Sequence, residues 1–145
     1  MKRLLMTAIL ILSVLSLFAC GFRKPESDRE RVFRIVTENE VALRACVASK
    51  VLSSARKIEG IKSVTRYRGA IDFECGGHGF GPSTAYYGFC YVPDNDYHKI
   101  PYAEDASDED TVVDGNRVIC EQKDGDNVFY AEMIVDGFWY YYAAY

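Results

Sequence analysis

The sequence predicts one α+β domain, with an N-terminal helix packed on an antiparallel β-meander of five or six strands and two disulfides. Three observations predict this fold. An apolar stripe at helical spacing follows residue 28, apolar and polar residues alternate from residue 65, and three Asp-Gly dipeptides separate β-rich runs near the C-terminus. Residues 1–19 are set apart as an export signal and residues 20–27 as a tether, which leaves residues 28–145 for a single core.

The helix is predicted from the spacing of its apolar residues. Ser27 or Asp28 can cap its N-terminus, and Gly60 is a plausible stop. The predicted helix extends to about residue 58, a length that allows a break near residues 37–40. Its apolar stripe consists of Val32, Ile35, Val36, Leu43, Cys46 and Val47.

The strands are predicted from alternation and from turn signals. Residues 65–75 alternate as a half-buried strand, and residues 85–92 form a second strand that is apolar on both faces. Asp114-Gly115, Asp124-Gly125 and Asp136-Gly137 are hairpin signals. They divide the C-terminal third into strands at 111–113, 116–123, 127–135 and 138–145.

The first twenty residues indicate export. Lys2 and Arg3 precede an uncharged, mostly apolar run at residues 4–19, which is too short for a comfortable membrane span and suits a signal peptide. The run ends in Leu17-Phe18-Ala19-Cys20, which resembles the lipobox of bacterial lipoproteins, although Phe18 departs from the small residue preferred there. The resemblance implies cleavage after Ala19, a diacylated Cys20 and stable anchoring to a membrane by its acyl chains. If the source is Gram-negative, Gly21 in place of Asp implies, by resemblance to the lipoproteins of such cells, an outer-membrane location facing the periplasm over retention at the inner membrane.

The charge of the chain restricts its partners. Loss of Lys2 and Arg3 with the signal changes the formal charge from −4 to −6. A basic footprint for nucleic acid is therefore absent. An acidic domain favours a basic protein as its partner.

Four cysteines remain when Cys20 is set aside: Cys46, Cys75, Cys90 and Cys120. In an exported domain this number predicts two disulfides. Their wide spacing is unlike that of zinc or redox motifs. The predicted pairs are Cys46–Cys75 and Cys90–Cys120, and Cys75–Cys90 across a hairpin is the alternative.

The glycine-rich stretch at residues 74–90 allows several interpretations. A phosphate loop requires a following helix, and here a strand follows. A Cys–His nucleophile requires a free thiolate, and zinc requires more ligands than His78 and His98. The stretch is interpreted as a hairpin tip whose glycines supply bends.

The segment at residues 93–110 is predicted to be a long acidic loop. Its candidate partner-binding residues are Glu104, Asp105, Asp108, Glu109 and Asp110. Three interpretations stay open: a solvated loop, docking onto a basic protein, and calcium binding without the EF-hand spacing.

The C-terminal strand is aromatic on both faces. One interpretation is a central strand buried on both sides, and the other is a tyrosine-rich binding face that includes Tyr141 and Tyr145.

No catalytic constellation stands out, and no cofactor or metal is expected. The favoured hypothesis is a lipid-anchored protein of the cell envelope that binds another protein. It would act as an inhibitor or immunity-type protein against a basic envelope-acting enzyme or toxin. The alternative is a structural or assembly lipoprotein of an envelope machine.

Overall fold

A computed structural model describes residues 25–81, 83–105, 108–123 and 125–145. It consists of one helix and one antiparallel sheet of seven strands in the order β1-β2-β3-β7-β6-β5-β4. The elements are α1 (Asp28–Ser49), a 3-10 turn (Leu52–Lys57), β1 (Ser63–Tyr67), β2 (Ala70–Phe80), β3 (Ser83–Tyr91), β4 (Thr111–Asp114), β5 (Arg117–Glu121), β6 (Val128–Val135) and β7 (Phe138–Ala144).

Helix α1 begins where the sequence predicts and ends earlier. The Ser27 hydroxyl accepts a hydrogen bond from the Glu30 amide at 3.2 Å, and the Ser27 amide donates to the Glu30 carboxylate at 2.9 Å, which completes a capping box. The helix is continuous through residues 37–40 and stops at Lys50, whose φ of 58° is left-handed. The predicted extension to residue 58 is wrong, because a separate 3-10 turn occupies that part of the chain.

The predicted meander of five or six strands is also wrong. The predicted strand at 65–75 is two strands, because Arg68 and Gly69, with φ of 45° and 87°, form a tight turn between β1 and β2. After β3 the chain crosses to the far edge of the sheet, so β3 pairs with β7 instead of β4. These two strands were the ones predicted to be apolar on both faces, and the sheet buries them near its centre.

Two cores lie on the two faces of the sheet. On the helix face, Val32, Val36 and Leu43 of α1 pack against Phe73 and Phe89. The opposite face carries a second buried cluster, to which residues 93–110 contribute. We call residues 93–110 the crossing loop.

An ion-pair network fastens α1 to the helix face. Glu132 of β6 is buried, and its carboxylate accepts hydrogen bonds from Arg29 at 2.8 Å, Tyr130 at 2.8 Å and Arg117 at 3.2 Å. These donors stabilise the ionised form and lower the pKa of Glu132 to about 2, with the Arg29 bond as the largest cause. The Arg29 guanidinium also lies 4.1 Å from the centre of the Phe33 ring.

The predicted disulfides are wrong, since all four core cysteines are free thiols. Cys46 and Cys75 both belong to the helix-face core, but their sulfurs do not bond to each other. The Cys46 sulfur lies 3.0 Å from the Ser54 hydroxyl, and the Cys75 thiol donates to the Phe73 carbonyl at 3.7 Å.

The other two pairings fail for reasons of sheet geometry. Cys90 on β3 and Cys120 on β5 are three strand spacings apart, roughly 14 Å. In the alternative pairing, Cys90 stands opposite Asp72, whereas Cys75 belongs to the core on the other face.

Candidate functional site

The crossing loop is packed onto the sheet. Ile100 is fully buried, and Ala103 is 4% exposed, in the second core. At the start of the loop, the Asn95 side-chain oxygen accepts hydrogen bonds from the Gly137 amide at 3.0 Å and the Trp139 indole at 3.2 Å. The part of the loop up to Ala103 therefore belongs to the folded core, in contrast to the solvated-loop interpretation.

Tyr102 in the crossing loop is the centre of a tyrosine cluster. Its ring stacks on Tyr86 of β3 with centroids 5.5 Å apart. It also contacts Tyr141 and Tyr145, each at 5.9 Å. The φ of Tyr102 is +72°, an uncommon backbone conformation for a residue of this size. In this conformation the Tyr102 ring packs among the rings of Tyr86, Tyr141 and Tyr145.

Glu104 connects the crossing loop to the turn between β1 and β2. Its carboxylate accepts a hydrogen bond from the Tyr67 hydroxyl at 2.5 Å and forms an ion pair with Arg68. All three side chains retain contact with solvent. Glu104, which lies beside the tyrosine cluster, is thus held in place by Tyr67 and Arg68.

Asp72 lies beneath this cluster, on the same face of β2. The Tyr141 hydroxyl donates to its carboxylate at 2.9 Å. The tyrosine reaches across Gly88, where an added Cβ would stand 2.9 Å from the hydroxyl and 2.4 Å from the Phe73 carbonyl oxygen. Glycine at this position therefore permits the bond.

Asp72 is a partly buried carboxylate with no ion pair to a basic side chain of the described residues, and its pKa reflects this. Burial, followed by the charge of Glu74, raises its pKa to about 6 against the opposing effect of the Tyr141 bond. Among the residues that the structure describes, no ion pair joins a basic side chain to Asp72 or Glu74. Burial and the same two carboxylates raise the pKa of Tyr102 to about 12.

These side chains form one continuous region that we call the tyrosine–acid surface. It consists of Tyr67, Asp72, Glu74, Tyr86, Tyr102, Glu104 and Tyr145. Half-buried tyrosine rings offer a large contact area at small entropic cost, and uncompensated carboxylates favour a cationic group. Chemically, the surface is suited to binding a basic protein.

The remaining predicted binding residues are dispersed. Tyr141 is 1% exposed and belongs to the core, while Tyr145 is half-buried at the tyrosine–acid surface. Glu109 is exposed, and Asp110 forms an ion pair with Lys123 at 3.2 Å. The side chains of Asp105 and Asp108, together with Cys20, lie outside the described residues.

The glycine-rich stretch is mostly strand. β2 continues to Phe80, with a bulge between Glu74 and Gly76, so the hairpin tip is shorter than predicted. His78 pairs with Asp28 at 2.5 Å on the helix face, far from His98 in the crossing loop.

Cys75 does not have the properties of a nucleophile. It is 4% exposed, and burial raises its pKa to about 12, which disfavours the thiolate. Within the described ranges, no group of three or more histidine, cysteine or carboxylate side chains could hold a metal ion.

Neither of two surface cavities involves the tyrosine–acid surface. One of 440 Å³ follows a single stretch of α1 around Val41, and one of 280 Å³ is lined by α1 and the Glu59-Gly60 turn. In the described part of the chain, no helix has both the length and the apolar character needed to span a membrane. No protein-family model, curated protein or solved structure matches the chain.

In the half-buried strand predicted at residues 65–75, Asp72 and Glu74 occupy polar positions that are expected to face solvent, and the sequence does not single out Tyr67, Tyr86 or Tyr102. The crossing loop is what buries Asp72 and assembles the tyrosines, and its path follows from long-range packing. One local signal was available: residues 86, 88 and 90 share a strand face, and Gly88 between two larger residues marks a close approach.

Proposed function

We propose that this chain is a lipid-anchored envelope protein whose domain binds a basic partner protein through the tyrosine–acid surface. The tyrosine cluster around Tyr102, held against a pair of carboxylates that lack an ion pair among the described residues, is the observation that carries the proposal. The lipobox-like ending at Cys20 supports the anchor.

The favoured form of this function is inhibition. A surface with packed tyrosines at its centre and carboxylates around them suits tight binding to a folded basic enzyme or toxin that acts on the envelope. Glu104 is already oriented by Tyr67 and Arg68, so little side-chain ordering remains to oppose association.

The test is capture from envelope extract of the source cells with the immobilised full chain in mild detergent. Three forms are compared: the natural chain, a variant carrying Tyr86→Ala and Glu74→Gln, and a control carrying Val41→Lys on the exposed side of α1. We expect the natural chain and the control to retain the same basic protein and the surface variant to lose it. Capture that persists in the surface variant would contradict the proposal.

Binding kinetics with the captured protein then separate the roles of charge and ring. Raising the salt from 0.1 to 1 M shortens the Debye length from about 10 Å to about 3 Å, so association should slow. Glu104→Gln should act mainly on the association rate, and Tyr86→Ala mainly on dissociation. Loss of the captured protein's activity on binding would support the inhibitor form, and retained activity would support an assembly role.

A further inference from the structure

The two edges of the sheet are protected to different degrees. At one edge, β1 carries the exposed Arg66, its Val64 is 5% exposed, and the 3-10 turn Leu52–Lys57 packs against it. At the other edge, β4 pairs with β5 and with no other strand of the described residues. Charges and covering segments are the usual means by which proteins prevent a sheet edge from pairing with another chain.

β4 exposes apolar side chains at its centre. Val112 is 62% exposed and Val113 is 55% exposed, and among the five large apolar side chains exposed in the described residues they are the only adjacent pair. They lie opposite Ile119 and Val118 on β5. Because successive residues of a strand alternate, one of the two valines directs its backbone N–H and C=O away from β5.

Carboxylates flank these valines. Glu109 precedes β4 and Asp114 ends it, and both are exposed. Within the described residues neither takes part in an ion pair. An apolar centre between two negative charges is complementary to an extended segment with apolar residues at its centre and lysine or arginine at its ends.

A second copy of this chain fits the edge poorly. In an antiparallel self-pairing centred on Val112, Asp110 would stand opposite Asp114 of the other copy. Centred on Val113, the same pairing would place Asp114 opposite Val112. In the first register like charges stand directly opposite each other, which destabilises a strand pair, and in the second Asp114 faces an apolar residue and gains no cation. A different, basic chain avoids the repulsion and supplies the cation.

We infer that the β4 edge accepts an extended basic segment of a partner protein as an eighth strand of the sheet. Main-chain hydrogen bonds on the outer side of Val112 or Val113 supply affinity, and Glu109 and Asp114 select for positive charge. This site goes beyond the proposed function, because it uses neither the tyrosine–acid surface nor its residues.

The experiment uses the full chain in detergent and a synthetic probe, the peptide Lys-Thr-Lys-Val-Thr-Val-Lys-Thr-Lys, with a matched peptide in which glutamate replaces lysine. Binding is followed by fluorescence anisotropy and by hydrogen exchange of the β4 amides. We expect the basic peptide alone to bind and to slow exchange in β4. No binding, or protection only outside β4, would overturn the inference.

Two variants keep the test decisive. Val112→Lys with Val113→Lys should weaken the basic peptide at least tenfold, whereas Val41→Lys with Val51→Lys, a matched control at other exposed valines, should leave binding unchanged. Glu109→Lys with Asp114→Lys should reverse the preference toward the acidic peptide. Equal affinity in the β4 variant and the control would refute strand addition at this edge.

Discussion

Asp72 gives the tyrosine–acid surface negative charge at a cost to the stability of the domain. Its carboxylate is ionised at neutral pH although burial and Glu74 both disfavour the charge. An asparagine could still accept the Tyr141 hydrogen bond without that cost. A residue that reduces stability in this way is characteristic of functional sites.

The pH dependence of Asp72→Asn tests this account of the residue. Because the folded pKa of about 6 is above the ordinary 3.8, the native state binds more protons between these values, and its stability falls as pH rises through that window. At about 1.36 kcal/mol per pKa unit, the cost at pH 7 is on the order of 3 kcal/mol. Urea unfolding at pH 4 and pH 7 should show the variant gaining relative stability at pH 7. If Asp72→Asn lost the same stability at pH 4 and at pH 7, this account of Asp72 would be contradicted.

The four core cysteines give a second prediction at this scale. Their exposures run from 0 to 8%, and burial raises the pKa of Cys75 and of Cys90, so the native thiols should resist oxidation and thiol reagents. In denaturant without reductant, the chain with Cys20→Ala should release four titratable thiols. Fewer than four would mean that disulfides form and that the packing around these residues differs from the one described.

At the scale of elements, Glu132 determines how α1 docks on the sheet. One carboxylate satisfies Arg29 from the helix and both Arg117 and Tyr130 from the strands. Replacing the carboxylate by an amide leaves two guanidinium groups close together without a negative charge between them and with one acceptor oxygen instead of two. The helix should then be held by its apolar stripe and by its remaining polar contacts, such as Asp28 with His78 and Arg44 with the Asp136 carbonyl.

The variant Glu132→Gln tests that role. The folded pKa of about 2 is below the ordinary 4.5, so the stabilisation is present above about pH 4.5 and is lost as pH falls toward 2. We expect the variant to lose roughly 1–3 kcal/mol at pH 7 and to lose the steep acid dependence of unfolding. Glu38→Gln, at an exposed ion pair within α1, is the control and should change little. An unchanged acid transition in Glu132→Gln would contradict this docking role.

The elements that sequence reasoning located correctly are those with local signals. The capped start of α1 and the four C-terminal strands lie close to their predicted positions. Arg68-Gly69 was missed because its turn lacks the Asn-Gly or Asp-Gly signature. The crossing between β3 and β4 was missed although β3 and β7 read as apolar or aromatic on both faces, because that pattern marks a strand as central without showing which strand it pairs with. The disulfides were inferred from the number of cysteines in an exported domain, whereas the distance between two cysteines depends on the order of the strands that carry them.

For the whole molecule, the sheet separates two tasks. Its helix face carries α1 and the Glu132 network, which hold the fold together. Its other face carries the crossing loop and the tyrosine–acid surface, where Glu104 pairs with Arg68 but Asp72 and Glu74 have no ion pair with a described basic residue. Because the structure has no disulfides among the four core cysteines, the proposed envelope location rests on the first twenty residues alone.

The anchor is tested on the full chain. Cys20→Ala removes the thiol that the lipobox resemblance assigns to acylation, and two or three acyl chains are what make anchoring stable. We expect the natural chain to partition into a detergent phase and the variant to remain an unlipidated precursor that does not. Lipidation would be contradicted if the variant partitioned like the natural chain and if the mass of the natural chain equalled that of its unmodified sequence.

Crosslinking inside the source cells tests the binding function most directly. A photoreactive phenylalanine analogue replaces Tyr86 at the tyrosine–acid surface, and in a matched chain it replaces Val41 on the exposed side of α1. We predict that position 86 yields one discrete adduct with a basic protein, that position 41 does not, and that Glu74→Gln with Glu104→Gln reduces the adduct. No adduct from position 86, or the same adduct from both positions, would contradict a partner-binding role for this face.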